Sequence, residues 1–146
     1  ANFFSWGIRS GVALSYANHK GNVNYPIKTS FYNCLITGSS SDEVGGSKSD
    51  NDAIAFDYYF FHSLINSKVE AASDRLINIT WEKEKNFLYI GKEDYKYDLR
   101  PDSLCKAINI GDIEIARNYP YDLNGRSRLQ DGKPDAGCYE WISGDK

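Results

Sequence analysis

The chain has no methionine, only four prolines and three cysteines in 146 residues, and no long apolar run. Its uncharged apolar segments are far shorter than the roughly 20 residues of a transmembrane helix, so a membrane span is not expected. Positive charge is also scarce, because 17 lysines and arginines stand against 20 acidic residues. A nucleic-acid partner requires a basic surface to neutralise phosphates and is therefore not expected either.

The three cysteines are Cys34, Cys105 and Cys138, an odd number at wide spacing. This spacing predicts neither a disulfide framework nor a zinc site. One disulfide with one free thiol is an open alternative. We favour three buried thiols that pack as small apolar side chains.

The chain begins with Ala1–Trp6, a segment that already has the pattern of a strand, so a signal peptide is not expected in it. This start, together with the lack of methionine, predicts a piece of a longer protein. The hydrophobic share of 41% and the charged share of 25% are those of a globular protein. We expect residues 1–146 to form a single domain.

Short apolar and β-branched segments, separated by polar or glycine-rich stretches, predict an all-β chain. An aromatic share of 14%, with 11 tyrosines, also suits strands. No segment has a sustained helical period, although Glu70–Arg75 is expected to form a short helical turn. Gly38–Asp52 is predicted to be a polar projecting loop. The predicted strands are Phe3–Ile8, Val12–Tyr16, Thr29–Thr37, Ile54–Ile65, Leu76–Trp81, Phe87–Ile90 and Tyr95–Leu99.

Two of these strands match each other in sequence. Phe31–Ser39 aligns with Phe60–Lys68, and the aligned pairs include two phenylalanines and two leucines. A short strand and turn repeated at such an interval is typical of a β-solenoid, in which successive coils stack like residues on one another. The alternative is a chance likeness between two hydrophobic strands of a β-sandwich. The matched pairs are Phe31 and Phe60, Tyr32 and Phe61, Leu35 and Leu64, and Ile36 and Ile65.

Charged residues, glycines and aromatics concentrate between residues 122 and 141. Asn124 and Gly125 form a tight-turn dipeptide, which is expected to fold Asp122 back toward Arg126 or Arg128. Each acid in this region has an arginine close in sequence, which predicts lowered pKa values. A pair of catalytic carboxylates would instead need one raised pKa, so we expect a structural clasp. The predicted clasp residues are Asp122, Gly125, Arg126, Arg128, Asp135, Gly137, Tyr139 and Glu140.

The clasp follows the pattern Asp-x-x-Gly-x-x-Arg from Asp122 and then Asp-x-Gly-x-Tyr-Glu from Asp135. This pattern resembles the C-terminal signature of right-handed parallel β-helix proteins of Bacteroides-type bacteria, often labelled choice-of-anchor or polymorphic-membrane-protein-like. The stretch from Tyr97 to Asp112 resembles another segment of these proteins. Here Leu104–Lys106 replaces a usual proline and Asn109 replaces an aspartate.

The resemblance implies a right-handed parallel β-helix, with residues 1–99 as coils with projecting loops and 100–146 as the closing segment. It also implies a cell-surface, secreted or periplasmic protein associated with carbohydrate. A solenoid cut between coils has an open end. We therefore expect that end to pair with missing N-terminal coils or with another copy of the chain.

The expected function is non-catalytic binding of a glycan or a cell-envelope component, with no catalytic residue and no cofactor. Tyrosine rings can stack on sugars while their hydroxyls bind sugar hydroxyls. Two alternatives stay open: a polysaccharide lyase or glycoside hydrolase using Lys28, Arg75 or Lys96, and a structural stalk. The predicted glycan-contact aromatics are Tyr58, Tyr59, Tyr95 and Tyr97.

The histidines and the acidic clusters are candidates for other chemistry. His62 aligns with Asn33 and is expected to hydrogen-bond at a corner, whereas His19 lies in a polar loop with no evident partner. Calcium is an alternative at Asp42–Glu43, Asp50–Asp52 or Asp131, but the spacing of known calcium loops is absent. We therefore favour solvated acidic loops.

Overall fold

The structure is a computed structural model that describes Phe3 and residues 11–68 and 73–144. The described residues form ten strands and one short helix. The elements are β1 (Leu14–Ala17), β2 (His19–Lys20), β3 (Val23–Asn24), β4 (Ile27–Tyr32), β5 (Leu35–Ile36), β6 (Val44–Ser47), β7 (Phe56–Ile65), β8 (Leu76–Trp81), β9 (Phe87–Gly91), β10 (Lys96–Pro101) and α1 (Ile113–Asn118).

The largest sheet has β7 at its centre, with β4 and β5 along one side and β8 along the other. All three partners run parallel to β7. Phe31 pairs with Phe60 and Leu35 pairs with Leu64, so the residue matching predicted from the sequence is confirmed. The rings of Phe31 and Phe60 stack with their centroids 4.6 Å apart.

A hydrophobic cluster packs on one face of this sheet. Phe60 is only 1% exposed, and it lies with Ile36 and Ile65 against partly buried neighbours that include Tyr16 and Tyr58. Burying a side chain of this size contributes roughly 1.5–3 kcal/mol relative to leaving it in water. This cluster therefore provides a large share of the stability of the sheet.

A second cluster attaches the C-terminal segment to the same sheet. Leu64 packs with Cys105, Ala107 and Ala136, and Leu35 lies partly buried against them. The three small side chains allow the backbone of the C-terminal segment to approach the strand ends closely. The last third of the chain is thus packed on the central strand β7.

One residue in each of three neighbouring strand regions has a left-handed backbone. The φ angles are 50° at Asn33, 48° at His62 and 55° at Asn78. The register places Asn33 beside His62 and His62 beside Asn78. Asparagine tolerates this conformation better than most residues with a Cβ, and histidine adopts it more often than β-branched residues. The three strand regions therefore bend at the same level.

The remaining strands form three separate two-stranded sheets. β1 and β6 pair in parallel, whereas β2 with β3 and β9 with β10 pair in antiparallel fashion. The hairpin of β9 and β10 is joined by a short turn, as antiparallel pairs allow. Parallel pairing is thus confined to two of the four sheets among the described residues.

The predicted right-handed parallel β-helix is wrong. The described residues form small separate sheets of two to four strands, with some parallel pairs and no solenoid. Partners on β4 and β7 are 29 residues apart, but partners on β7 and β8 are only 16 apart. The sequence match therefore identified one strand pair correctly, but it does not extend into a regular series of coils.

Several strand predictions are close to the structure, and others are not. The strand Leu76–Trp81 is confirmed with its bounds, while the predicted loop Gly38–Asp52 contains β6. The hairpin of β2 and β3 and the helix α1 were not predicted. Two predicted segments lie mostly outside the described residues. Only Phe3 of the strand Phe3–Ile8 is described, and only the last three residues of the turn Glu70–Arg75.

The cysteines are all free. Cys105 is buried, Cys34 is half-buried and Cys138 is exposed. The prediction of three buried thiols is therefore wrong for Cys138, which lies on the surface of the C-terminal segment. In the described part of the chain, no helix has the length and hydropathy needed to cross a membrane.

Replacing Phe60 with alanine should reduce the free energy of unfolding by about 3–5 kcal/mol, because it leaves a cavity in the best-packed cluster. Urea unfolding followed by tryptophan fluorescence measures this. Tyr89→Ala, on an exposed hairpin position, serves as the matched control and should cost less than about 1 kcal/mol. Equal losses in the two variants would contradict this description of the core.

Candidate functional site

The Asp122 carboxylate organises the first half of the clasp. Its Oδ1 accepts hydrogen bonds from the backbone N–H groups of Asn124 and Arg126, each at 2.8 Å. Its Oδ2 accepts from the backbone N–H of Glu140 at 3.0 Å. Gly125 has a φ of 78° and donates its N–H to the Asp122 carbonyl, so the predicted tight turn is confirmed.

Asp135 and Glu140 organise the second half. Asp135 is buried and accepts from the backbone N–H of Asn109 at 2.8 Å and of Trp141 at 2.7 Å. Glu140 accepts from Arg128 Nη1 at 2.8 Å and from the backbone N–H of Asp135. These carboxylates satisfy backbone groups of separate loops and hold the loops together.

The predicted lowering of the pKa values in the clasp is wrong for two of its acids. Burial raises the pKa of Asp135. Burial raises the pKa of Glu140 to about 7, and the nearby Asp135 charge makes a smaller contribution in the same direction. Arg128 lowers the pKa of Glu140, but by less. Removing a carboxylate from water therefore outweighs the attraction of an arginine that is close in sequence.

The rest of the clasp lies against the bend of the sheet. Gly137 donates its N–H to the Asn33 carbonyl at 2.7 Å and has a φ of 116°. A Cβ at Gly137 would lie 3.2 Å from the Leu35 Cβ, so this close approach favours glycine. Tyr139 is half-buried and lines a small hollow beside Leu35 and Phe87.

The four tyrosines predicted to contact glycan do not form one surface. Tyr58 lies on the inner side of β7, where it packs on Tyr16 and Phe60. Tyr59 is the next residue of the strand and therefore points to the opposite face. The other two, Tyr95 and Tyr97, are exposed and belong to the separate hairpin of β9 and β10.

The outer face of the sheet carries an aromatic group of which the sequence predicted only Tyr59. Tyr32 and Phe61 stack with a centroid distance of 4.5 Å and an interplanar angle of 7°. Tyr59 continues the group, at 6.1 Å from Phe61. Tyr32 is nevertheless 39% exposed. The sequence match already aligned Tyr32 with Phe61, so this stack could have been found from it.

A cleft of about 160 Å³ lies beside Tyr32, between the bend of the sheet, α1 and the clasp. We call it the tyrosine cleft. Tyr119, which follows α1, is 71% exposed and lies on the same cleft. The residues that line it are Tyr32, Asn33, Ile115, Ala116, Tyr119, Arg128 and Gly137.

Side-chain hydrogen bonds hold the floor and one wall of the tyrosine cleft in place. The Asn33 amide donates to the Asp112 carbonyl at 3.0 Å and accepts from the Asp112 N–H at 2.6 Å. Asp112 in turn caps α1, because its side chain accepts from the Glu114 N–H. The bend of β4 and β5 thereby sets the position of the helix that carries Tyr119.

His62 belongs to the same bend. Its Nδ1 lies 3.1 Å from the Ile110 carbonyl, and its Nε2 lies 3.0 Å from the Asn78 amide nitrogen. The carbonyl can only accept, so Nδ1 donates to it, and an Asp112 carboxylate oxygen also lies 3.9 Å from Nε2. The prediction that His62 hydrogen-bonds at a corner is confirmed.

His19 has a partner, contrary to the prediction. Its Nε2 lies 2.7 Å from the Ser47 hydroxyl, next to an open polar groove of about 470 Å³. A catalytic serine–histidine pair needs an acid to orient the other ring nitrogen. Among the hydrogen bonds of the described residues, no carboxylate takes that position. The pair alone therefore gives weak grounds for catalysis.

The three basic residues considered for a lyase lie in different surroundings. Lys28 is exposed on β4, where it pairs in register with Asp57. Arg75 donates to the Phe56 carbonyl and lies over the Tyr58 ring. Lys96 belongs to the separate hairpin. Lys28 and Arg75 therefore both neighbour Asp57, since Arg75 Nη2 lies 3.8 Å from its carboxylate, whereas Lys96 lies apart from them.

The acidic segments considered for calcium also have other roles. Asp42 accepts hydrogen bonds from Ser67 and from the Lys68 N–H, and Asp52 pairs with Lys48. Glu43 is fully buried and accepts from two backbone N–H groups, so the prediction of a solvated side chain is wrong for it. In the described ranges, no group of three or more histidine, cysteine or acidic side chains is placed to hold a metal.

Comparisons with known protein families, with curated proteins and with solved structures find no match to this chain. The resemblance to bacterial β-helix proteins therefore stays a prediction from a few motifs.

Glu140 should make the protein less stable as the pH rises. Its pKa in the folded state, about 7, exceeds the ordinary value of 4.5, so protons favour the folded state. This stabilisation is complete below about pH 4.5 and is lost as the pH rises toward 7, at up to roughly 1.4 kcal/mol per pH unit. Urea unfolding between pH 4.5 and 7.5 measures the slope.

Glu140→Gln should reduce this slope, because the amide does not titrate, while Glu93→Gln on the exposed hairpin should leave it unchanged. An unchanged slope in the Glu140→Gln protein would contradict the raised pKa of this buried carboxyl.

Proposed function

We propose that this chain is a non-catalytic carbohydrate-binding protein whose sugar site is the tyrosine cleft. The observation that carries the proposal is the exposed Tyr32 ring, which is stacked on Phe61 and lies at the edge of the cleft. The apolar face of a sugar packs on such a ring, and the tyrosine hydroxyl reaches sugar hydroxyl groups. Phe61 covers one face of Tyr32, and the ring is still 39% exposed, so part of it is accessible to a ligand.

The support behind Tyr32 also favours binding. A side chain that is already held in place loses less conformational entropy when the ligand binds. Phe61 holds the Tyr32 ring, and the hydrogen bonds between Asn33 and Asp112 hold the adjoining backbone. The aromatic wall of the cleft is therefore preorganised.

Polar groups and further aromatics surround this wall. Arg128 lies on the cleft, and its guanidinium is held by the Glu140 carboxylate. Planar donors of this kind hydrogen-bond oxygen acceptors with defined geometry. Tyr119 lies across the cleft, and Tyr121, two residues later, is also exposed. The site thus combines stacking surface with directional donors.

Binding is favoured over hydrolysis by the contacts of the nearby carboxylates, although Glu140 has the raised pKa that a catalytic acid needs. Asp122, Asp135 and Glu140 are buried, and each accepts backbone N–H groups. Glycoside hydrolysis needs two carboxylates that reach the bond being cleaved. The clasp carboxylates instead hold loops together. An exported or cell-surface location would suit a glycan-binding role and stays a prediction.

A glycan array followed by calorimetry on the best ligand tests the proposal. Tyr32→Ala should weaken binding about tenfold or more, since it removes the stacking ring. Tyr32→Phe retains the ring and should bind more tightly than the alanine variant. Tyr89→Ala, on the hairpin of β9 and β10, is the matched control and should bind like the unmodified protein.

Two results would contradict the proposal. One is full affinity in the Tyr32→Ala protein, which would place the sugar elsewhere. The other is the release of unsaturated or shortened sugar products from acidic and neutral polysaccharides, which would make the protein an enzyme.

A further inference from the structure

Two buried oxygen atoms at the end of the main sheet have no hydrogen-bond partner among the described residues. They are Thr37 Oγ1 and Asn66 Oδ1. Both residues are only 1% exposed. A buried polar group without a partner costs about 1–3 kcal/mol, so native proteins rarely leave one unsatisfied.

The orientation of the Asn66 amide is determined by its other contacts. Its Nδ2 donates to the Ser40 carbonyl at 2.9 Å. Turning the amide over would place two acceptor oxygens against each other, so Oδ1 must point away from Ser40. The Asn66 backbone is also satisfied, by the Ile36 carbonyl and the Glu43 N–H. Oδ1 is therefore the acceptor on Asn66 that still needs a donor.

Thr37 and Asn66 lie at neighbouring positions. Each follows the last pair of the parallel ladder, Ile36 with Ile65, on adjacent chain segments. Although adjacent strands are only about 4.8 Å apart, no direct hydrogen bond joins the two side chains. A single small molecule between them could bond to both.

We propose that one internal water molecule binds between Thr37 Oγ1 and Asn66 Oδ1. The water accepts from the Thr37 hydroxyl and donates to the Asn66 carbonyl oxygen, which satisfies both atoms. Buried waters typically make two to four hydrogen bonds and occur about once per 27 residues, so such a site is physically ordinary. A hard cation is disfavoured, because calcium takes about six to eight oxygen ligands.

The water site has a consequence for the loop above it. Asn66 holds Ser40 through its side chain and Glu43 through its carbonyl, and the Ser40 N–H donates to the Glu43 carboxylate. By fixing the Asn66 amide, the water steadies the loop that connects β5 to β6. Loss of the water should therefore loosen this loop without disturbing the tyrosine cleft.

A high-resolution crystal structure of the unmodified protein is the direct test. We expect one well-ordered peak within hydrogen-bond distance of both Thr37 Oγ1 and Asn66 Oδ1. Three results would overturn the proposal: a direct bond between the two side chains, a dry site, or a peak with the short, numerous oxygen contacts of a cation.

Two variants test the role of the water in solution and in crystals. Thr37→Val has nearly the same shape but no hydroxyl, so the peak should vanish and the ratio of folded to unfolded protein should fall on the order of tenfold. Hydrogen exchange of the Ser40 and Glu43 amides should accelerate. Thr37→Ser keeps the hydroxyl and should keep the peak. Unchanged exchange and stability in Thr37→Val would overturn the proposal.

Discussion

The parallel pairing of β4 with β7 is the constraint on which the rest of the structure depends. It places Phe31 on Phe60 in the core, where the stacked rings and the surrounding apolar side chains stabilise the sheet. The same register places Tyr32 on Phe61 on the outer face. A one-residue slip would exchange the two faces, so core packing and the proposed sugar site require the same register. The binding surface is thus a consequence of how the core packs.

The bend next to this pairing determines where the C-terminal third of the chain lies. Asn33 contacts it at two points, since its amide bonds the Asp112 backbone and its carbonyl accepts from Gly137. His62 adds a bond to the Ile110 carbonyl. The clasp then closes on itself through buried carboxylates. Polar contacts at the left-handed positions Asn33 and His62 therefore add to the apolar cluster around Leu64 in joining the sheet to the C-terminal segment.

The sequence allowed the strand pairing to be predicted, because four apolar or aromatic pairs within a nine-residue alignment define a register. It did not allow the wider fold to be predicted. Two matched segments define the pairing of only two strands. Partners on β4 and β7 are 29 residues apart and partners on β7 and β8 are 16 apart, and the matched segments give no sign of this change. The clasp motif located the Asn124–Gly125 turn but not its electrostatics, since the pKa of Glu140 depends on burial, which sequence spacing does not reveal. Helix α1 was missed because six residues are too few to show a period.

The central claim is that the bend at Asn33 holds the C-terminal segment against the sheet. Hydrogen exchange of an Asn33→Gly protein tests it most directly, because glycine accepts the left-handed backbone while the amide side chain is lost. The account predicts faster exchange in α1 and around Gly137, with the core of β7 still protected. Asn78→Gly, at the equivalent bend position in β8, should leave those regions protected. Equal protection of α1 in the Asn33→Gly and unmodified proteins would contradict the account.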